Sequence, residues 1–287
     1  MKSRLDIQKT YKLYINGKFP RTESGRYFPV HDEDGNLSAN ICRASRKDFR
    51  EAVKAARNAV DSWSARTAYN RGQILYRTAE TLEGRKQQFI QELILSGMSR
   101  KKAANEVEKT LDRLVYYAGW TDKYQALFSS VNPVSSSHYN FSVPDYQGVI
   151  SLIAPADHPL LGLVSLIAPV LAGGNTVVCL ASEKWPLSAI SFGEVLHASD
   201  VPGGVVNILT GFESELAEHF STHKDVNGVV YCGNDTDLIK SIQENASENV
   251  KRVHYYNTTD WLKGDGQSPY FIMDHVEIKT TWHPIGS

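Results

Sequence analysis

Hydrophobic positions in the first half of the chain recur at helical spacing. Phe49, Val53, Ala56, Val60 and Trp63 are separated by charged residues, and Asp48 and Glu51 stand in the first turn, where a helix dipole favours them. A second stripe, Ile74, Leu75, Ala79, Leu82, Phe89 and Leu93, predicts a helix from about Thr67 to Leu95, ended by Gly97. A third begins near Ser99 and runs past Tyr117, with Val107, Leu111, Leu114 and Val115 on one face. Stripes of this kind ask only for burial, so this block reads as scaffold. Ahead of it, Tyr11 to Phe19 alternates around Asn16-Gly17 and predicts a hairpin. Residues 20–45 are polar, with a further turn at Asp34-Gly35. Residues 129–147, rich in Ser and Pro, predict a connector with an extended segment at Tyr139–Val143.

From Gly148 the pattern changes to strand–helix alternation. Strands are expected at Val149–Ile153, Thr176–Leu180, Val205–Leu209, Val229–Cys232 and Val250–Tyr256. Helices are expected at Leu160–Leu171, 187–198, 213–222 and 235–246. Continuous runs such as Gly-Val-Val-Asn-Ile-Leu suit strands buried on both faces, hence a parallel sheet. Right-handed crossovers then give a doubly wound α/β domain. The expected division is 1–147 for hairpin, helical block and connector, 148–262 for the Rossmann-like domain, and 263–287 for a C-terminal strand arm. Ligands in such sheets sit beyond the carboxyl ends of the strands, so the loops to inspect are 154–159, 181–186, 210–213 and 232–236.

Composition narrows the function classes. The 287 residues are 41% hydrophobic and 22% charged, with a net charge of −1, which leaves no basic excess for nucleic acid. From His158 to Ser182 no Asp, Glu, Lys or Arg occurs, but Pro159, Pro169 and Gly173-Gly174-Asn175 interrupt the stretch. A buried helix followed by a buried strand accounts for it better than a membrane span. Cys42, Cys179 and Cys232 make neither a disulfide framework nor a metal motif, and the first residues lack a signal-peptide core, so a cytoplasmic setting is expected.

Several segments in order carry a family resemblance: Tyr-Ile-Asn-Gly-Lys-Phe19, Glu-Ala-Val-Lys-Ala-Ala-Arg-Asn-Ala59, Pro155-Ala-Asp-His-Pro-Leu-Leu161, Ala172-Gly-Gly-Asn-Thr-Val-Val178 and Val201-Pro-Gly-Gly-Val-Val-Asn-Ile208. With these the chain resembles the aldehyde dehydrogenase superfamily over nearly its whole length. The resemblance implies NAD(P)-dependent aldehyde oxidation by a Cys nucleophile, a Glu-activated water, and an oxyanion held by an Asn side chain and a backbone N–H.

Each role, carried over by position, meets a changed residue. The oxyanion Asn falls on Asp157, a carboxylate that would repel an oxyanion unless burial kept it protonated. In the ribose-binding Lys-Pro-x-Glu segment the Glu remains as Glu183 and the Lys is Leu180; Glu183 is either a ribose ligand or a helix N-terminal charge. The pyrophosphate loop keeps Gly233 but has Asn234 for Ser, Leu238 for the second Gly, and gains Asp235 and Asp237, which repel phosphate; Asp235 reads as a helix cap. The general-base Glu falls on Tyr256, a poor base that reads as a strand-end aromatic. Cys179 reads as buried and inert, and Cys232, at a strand end, is the weak candidate for a reactive thiol. His158 is the histidine in a cleft-facing loop; His197, His219, His223 and His254 show no metal spacing.

Residues 274–282 alternate like a strand and resemble the family's closing segment, which crosses to a neighbouring subunit; a competing register sets Ser268-Pro269-Tyr270 on the segment after the base. The tail reading implies a chain without the catalytic domain, similar to the degenerate second module of two-module aldehyde dehydrogenases. Three functions follow as expectations. The first is a non-catalytic subunit, without cofactor, that forms a homodimer or a hetero-oligomer with an active aldehyde dehydrogenase through 129–147 and 274–283. The second is an NAD(P)-dependent aldehyde dehydrogenase acting with a second chain, using Glu183, Gly233 and Asn234 for cofactor. The third is a ligand sensor with Asp157, His158 and Asn234 in the crevice.

Overall fold

A computed structural model describes residues 9–31 and 35–286; Asp34 of the second expected turn lies outside them. Two antiparallel strands, β1 (Tyr27–His31) and β2 (Leu37–Cys42), come first. Five helices follow: α1 (Arg46–Ser64), α2 (Ala68–Gly84), α3 (Lys86–Leu95), α4 (Arg100–Trp120) and α5 (Tyr124–Phe128). Then come β3 (Ser130–Asn132) and β4 (His138–Tyr146). The alternating half runs β5 (Val149–Ile153), α6 (Leu161–Ala172), β6 (Thr176–Leu180), α7 (Leu187–Ala198), β7 (Val206–Leu209), α8 (Glu213–Thr222), β8 (Gly228–Tyr231), α9 (Thr236–Ser247) and β9 (Arg252–Tyr255). A short α10 (Tyr270–Met273) leads into β10 (Val276–Pro284).

The alternating half is the doubly wound α/β sheet that its sequence predicts, all parallel in the order β7-β6-β5-β8-β9. The order reverses between β5 and β8, and the carboxyl ends of these strands mark the crevice where such sheets bind ligands. Alternate strand residues feed two cores. Ile150, Leu152, Val177, Cys179 and Ile208 face the layer containing α2, α4, α6 and α7; Val149, Ile153, Val178, Leu180 and Leu209 face α1 and α8. The charge-free stretch is a buried helix followed by a buried strand, α6 and β6, and among the described residues no helix is long and apolar enough to cross a membrane.

Several expectations are corrected. The hairpin at 11–19 shrinks to its turn: Asn16 and Gly17 both have positive φ, Ile15 and Lys18 bridge, and Tyr14 pairs instead with Ile208 on the edge of the large sheet. That edge offered a row of free backbone groups that a short hairpin strand could satisfy. The polar stretch 20–45 contains β1 and β2, whose inward residues Phe28, Val30, Ala39 and Ile41 are buried. The helix expected over 67–95 breaks at Arg85, whose side chain turns aside to Gln88 and Glu194. Val115 is 45% exposed and does not belong to the buried face of α4. The strand over 250–256 begins only at Arg252, because Val250 takes a positive φ at the end of the α9 turn.

The connector is more ordered than its composition suggests. β4 is a nine-residue strand, and β10 pairs antiparallel along all of it, from Val276 opposite Tyr146 to Pro284 opposite His138. β3 flanks β4 on the other side, so β10-β4-β3 form a three-stranded arm. The tail is thus a strand, and the strand it joins is its own chain's β4.

Candidate functional site

The crevice is built from the loops after β5, β6 and β8 and from the segment after β9. The loop after β8 carries Gly233, Asn234 and Asp235. Asp235 caps α9: its Oδ1 accepts from the backbone N–H groups of Asp237 at 3.0 Å and Leu238 at 3.1 Å. These are the donors that a phosphate at this helix N-terminus would use. Tyr231 lies close beneath the loop, and a Cβ at Gly233 would fall 2.1 Å from its Oη. Asn234 is exposed and does not line the groove beside His158.

Glu183, just beyond β6, is exposed and its Oε2 accepts from the backbone N–H of Glu213 at 3.1 Å. It serves the N-terminus of α8, not that of α7, the helix that follows it in sequence. Glu213 itself is pushed up from the usual carboxylate range, first by burial and then by the charges of Glu183 and Asp235.

Both cysteines of the sheet are shut away from solvent. Cys179 is fully buried in β6, and burial pushes its thiol up. Cys232 is 8% exposed, and its thiol is raised by burial first and by Glu213 second. Access and charge both disfavour the Cys232 thiolate.

Tyr256 stands immediately past β9 in a closed aromatic cluster. Its Oη donates to Asp274 Oδ2 at 2.6 Å, and its ring meets Phe271 edge-on at 4.9 Å between centroids and Trp261 at 6.4 Å. Burial first, and the Asp274 charge second, raise the phenol, so it is no base near neutral pH. The residues that close this end of the crevice lie on the segment after β9, and Arg113 of α4 ties them down. Its guanidinium donates to Ser165 Oγ at 2.5 Å, to the Trp261 carbonyl at 3.0 Å, to Gln267 Oε1 at 3.1 Å and to the Gly266 carbonyl. Tyr117 Oη adds a bond to the Ser268 carbonyl at 3.1 Å.

The other loop of the crevice holds Asp157 and His158. Asp157 is exposed. His158 takes a positive φ of 56° and its Nδ1 sits 3.2 Å from Glu106 Oε2. Glu106, 1% exposed on α4, also accepts the N–H groups of Leu160 at 3.0 Å and Leu161 at 3.2 Å, capping α6. Its hydrogen bond first, and its charge, raise His158 above the usual imidazole value against an opposing burial effect.

Glu106, Thr110, Arg113 and Tyr117 form a buried polar stripe on α4 that the hydrophobic pattern alone does not reveal. Its signal was present: four polar or amphipathic residues at i, i+4, i+7 and i+11 on a helix with an apolar neighbouring face.

The aldehyde dehydrogenase family model matches residues 21–284. The chain belongs to the aldehyde dehydrogenase family. It is 30% identical over 278 residues to the putative aldehyde dehydrogenase DhaS of Bacillus subtilis, covering 95% of this chain and 54% of that protein. It is 34% identical over 281 residues to retinal dehydrogenase 2 of Gallus gallus, covering 96% and 52%. Among solved structures, the NAD+ complex of an aldehyde dehydrogenase from Bacillus cereus superposes with a TM-score of 0.81 at 29% identity, over 86% of this chain and 50% of that one. PnpE from Pseudomonas sp. WBC-3 gives 0.82 at 30% identity over the same shares. The chain therefore spans about half the length of the relatives it matches. Of the site positions carried over from the family, Glu183, Asp235 and Tyr256 are each hydrogen-bonded within the chain.

Proposed function

We propose that this chain is a non-catalytic aldehyde dehydrogenase family protein that acts in the cytoplasm as an oligomerising or partner subunit, without NAD(P). The observation that carries this reading is Asp235. Its carboxylate takes the α9 N–H groups that a pyrophosphate would need, and it adds negative charge where a phosphate would have to sit. Asp157 at the oxyanion position repels the charge that an acyl-transfer intermediate develops. Tyr256 at the base position is committed to Asp274. The arm formed by β3, β4 and β10 keeps Ile278 and Trp282 exposed on one face and Val131 and Tyr139 on the other, apolar positions suited to a second copy or to an active relative.

A second reading, an NAD(P)-dependent enzyme completed by another chain, draws on Glu183 and Gly233, which hold the family's residue types at the crevice. Calorimetric titration with NAD+ and NADP+ separates the two. The first reading expects no saturable heat at millimolar cofactor; saturable binding that Glu183→Ala weakens supports the second and overturns the first.

A further inference from the structure

We propose that the groove beside His158 is a binding site for a small carboxylate with a flat apolar body, with His158, oriented by Glu106, as the hydrogen-bond donor to the carboxylate. The groove has a volume of about 700 Å³ and lies where the α3–α4 junction meets the loops after β5 and β6. It is open enough for a ligand of drug-fragment size.

Three structural facts meet at His158. Its backbone is held at φ 56°, a conformation that costs energy for a residue with a Cβ and persists only where the surroundings enforce it. Its Nδ1 faces a carboxylate that is 1% exposed and fixed by two further N–H groups, so the ring orientation and tautomer are set. With Nδ1 engaged on Glu106, Nε2 is the ring nitrogen left for a ligand. A buried carboxylate that orients a histidine is the arrangement that pre-sets a donor, since the cost of ordering is met before the ligand arrives.

The walls define the ligand class. Trp185, Met98 and Ile94 supply aromatic and flexible apolar surface, which suits a flat body. Arg100 and Lys102 line the same groove, and Lys184 stacks 4.0 Å from the Trp185 ring centroid. Asp157 is the one acidic residue among the lining groups, so a monoanion gains on balance. The charged groups around the imidazole are Glu106 from α4, Asp157 from its own loop and Asp260 from the segment after β9, itself paired with Lys263 at 3.0 Å. All three carboxylates favour the imidazolium form, which donates from both nitrogens. The site takes nothing from the NAD-type positions of Glu183, Gly233 and Asn234, so it stands whether or not those bind cofactor.

The test is calorimetric titration of the full chain with benzoate, with benzamide as the uncharged counterpart and inorganic phosphate as the anion without an apolar body. We expect saturable benzoate binding at millimolar concentration or tighter and none with the other two. Affinity should fall as pH rises through the raised His158 value, because the imidazolium donor is lost. His158→Asn, which tolerates the left-handed backbone, should weaken benzoate about tenfold or more, the scale of one charge-assisted hydrogen bond. Trp185→Ala, away from the strained residue, should weaken it independently, and circular dichroism checks that both variants fold. Equal binding of benzamide, binding of phosphate alone, benzoate affinity unchanged in both folded variants, or no benzoate binding overturns the proposal.

Discussion

Asp235 and Glu183 illustrate what a single residue does in this crevice. Both are carboxylates near cofactor-type positions, and both are engaged with helix N-termini, Asp235 on its own helix and Glu183 on one that starts thirty residues later in sequence. The first was legible, because an N-cap is a contact between residues two and three apart. The second was not, because the sequence does not say which neighbouring loop a side chain will meet. Asp235→Ala should cost about 1 kcal/mol in urea unfolding, the usual worth of such a cap. Arg113 shows the same limit more strongly: its four acceptors lie on α6 and on the segment after β9. Arg113→Leu leaves buried carbonyls without a donor, so a loss of about 3 kcal/mol in chemical denaturation is expected, with protease cleavage appearing first in 257–275. A variant as stable as the parent would remove Arg113 from its clamping role.

At the level of elements, the buried strands and helices of 149–247 were readable within a residue or two because their apolar runs are unbroken. The pattern shows only Tyr139–Val143 of β4, because the Ser and Pro content of 129–147 masks a strand that is stabilised by its partner more than by its own pattern, whereas the alternation at 274–282 places β10 two residues early. The joint between β9 and β10 carries a titratable device. His275 is 1% exposed, its imidazole is pushed down to about 3 by burial first and by His254 and Arg252 after it, and its ring packs edge-on to His254 at 5.3 Å. Asn175 Nδ2 holds the His275 carbonyl at 2.7 Å, and Arg252 grips the Val276 carbonyl and, at 2.6 Å, Glu277. A folded value below the unfolded one means that the unfolded chain takes up the proton first. The stability from keeping His275 neutral is present above about pH 6.5 and is lost as pH falls toward 3, at roughly 1.4 kcal/mol per pH unit for one proton. His254 is lowered as well, also first by burial, and adds to this slope; the raised His158 opposes it. Urea unfolding between pH 7 and 4 should show a clearly shallower loss in His275→Leu than in the parent; equal slopes would contradict the assignment.

The whole molecule is an α/β body with a projecting strand arm. The fold class was legible end to end, since strand–helix alternation and β-branched runs determine a doubly wound sheet. The way in which the crevice is closed was not, because it depends on contacts between α4, α6 and the segment after β9. If the arm seats a partner, analytical ultracentrifugation should find a dimer or larger, and Trp282→Glu on the exposed strand should shift it toward monomer without loss of helical signal. A monomer at all concentrations would leave the arm without a homotypic partner and direct attention to an active relative. The most direct test of the non-catalytic reading is the rate of NAD+ and NADP+ reduction, followed by absorbance, with the purified chain and a panel of aldehydes. The account predicts no turnover above buffer. Steady turnover that Cys232→Ser abolishes would contradict it, because it would make a buried thiol the nucleophile and the crevice a working active site.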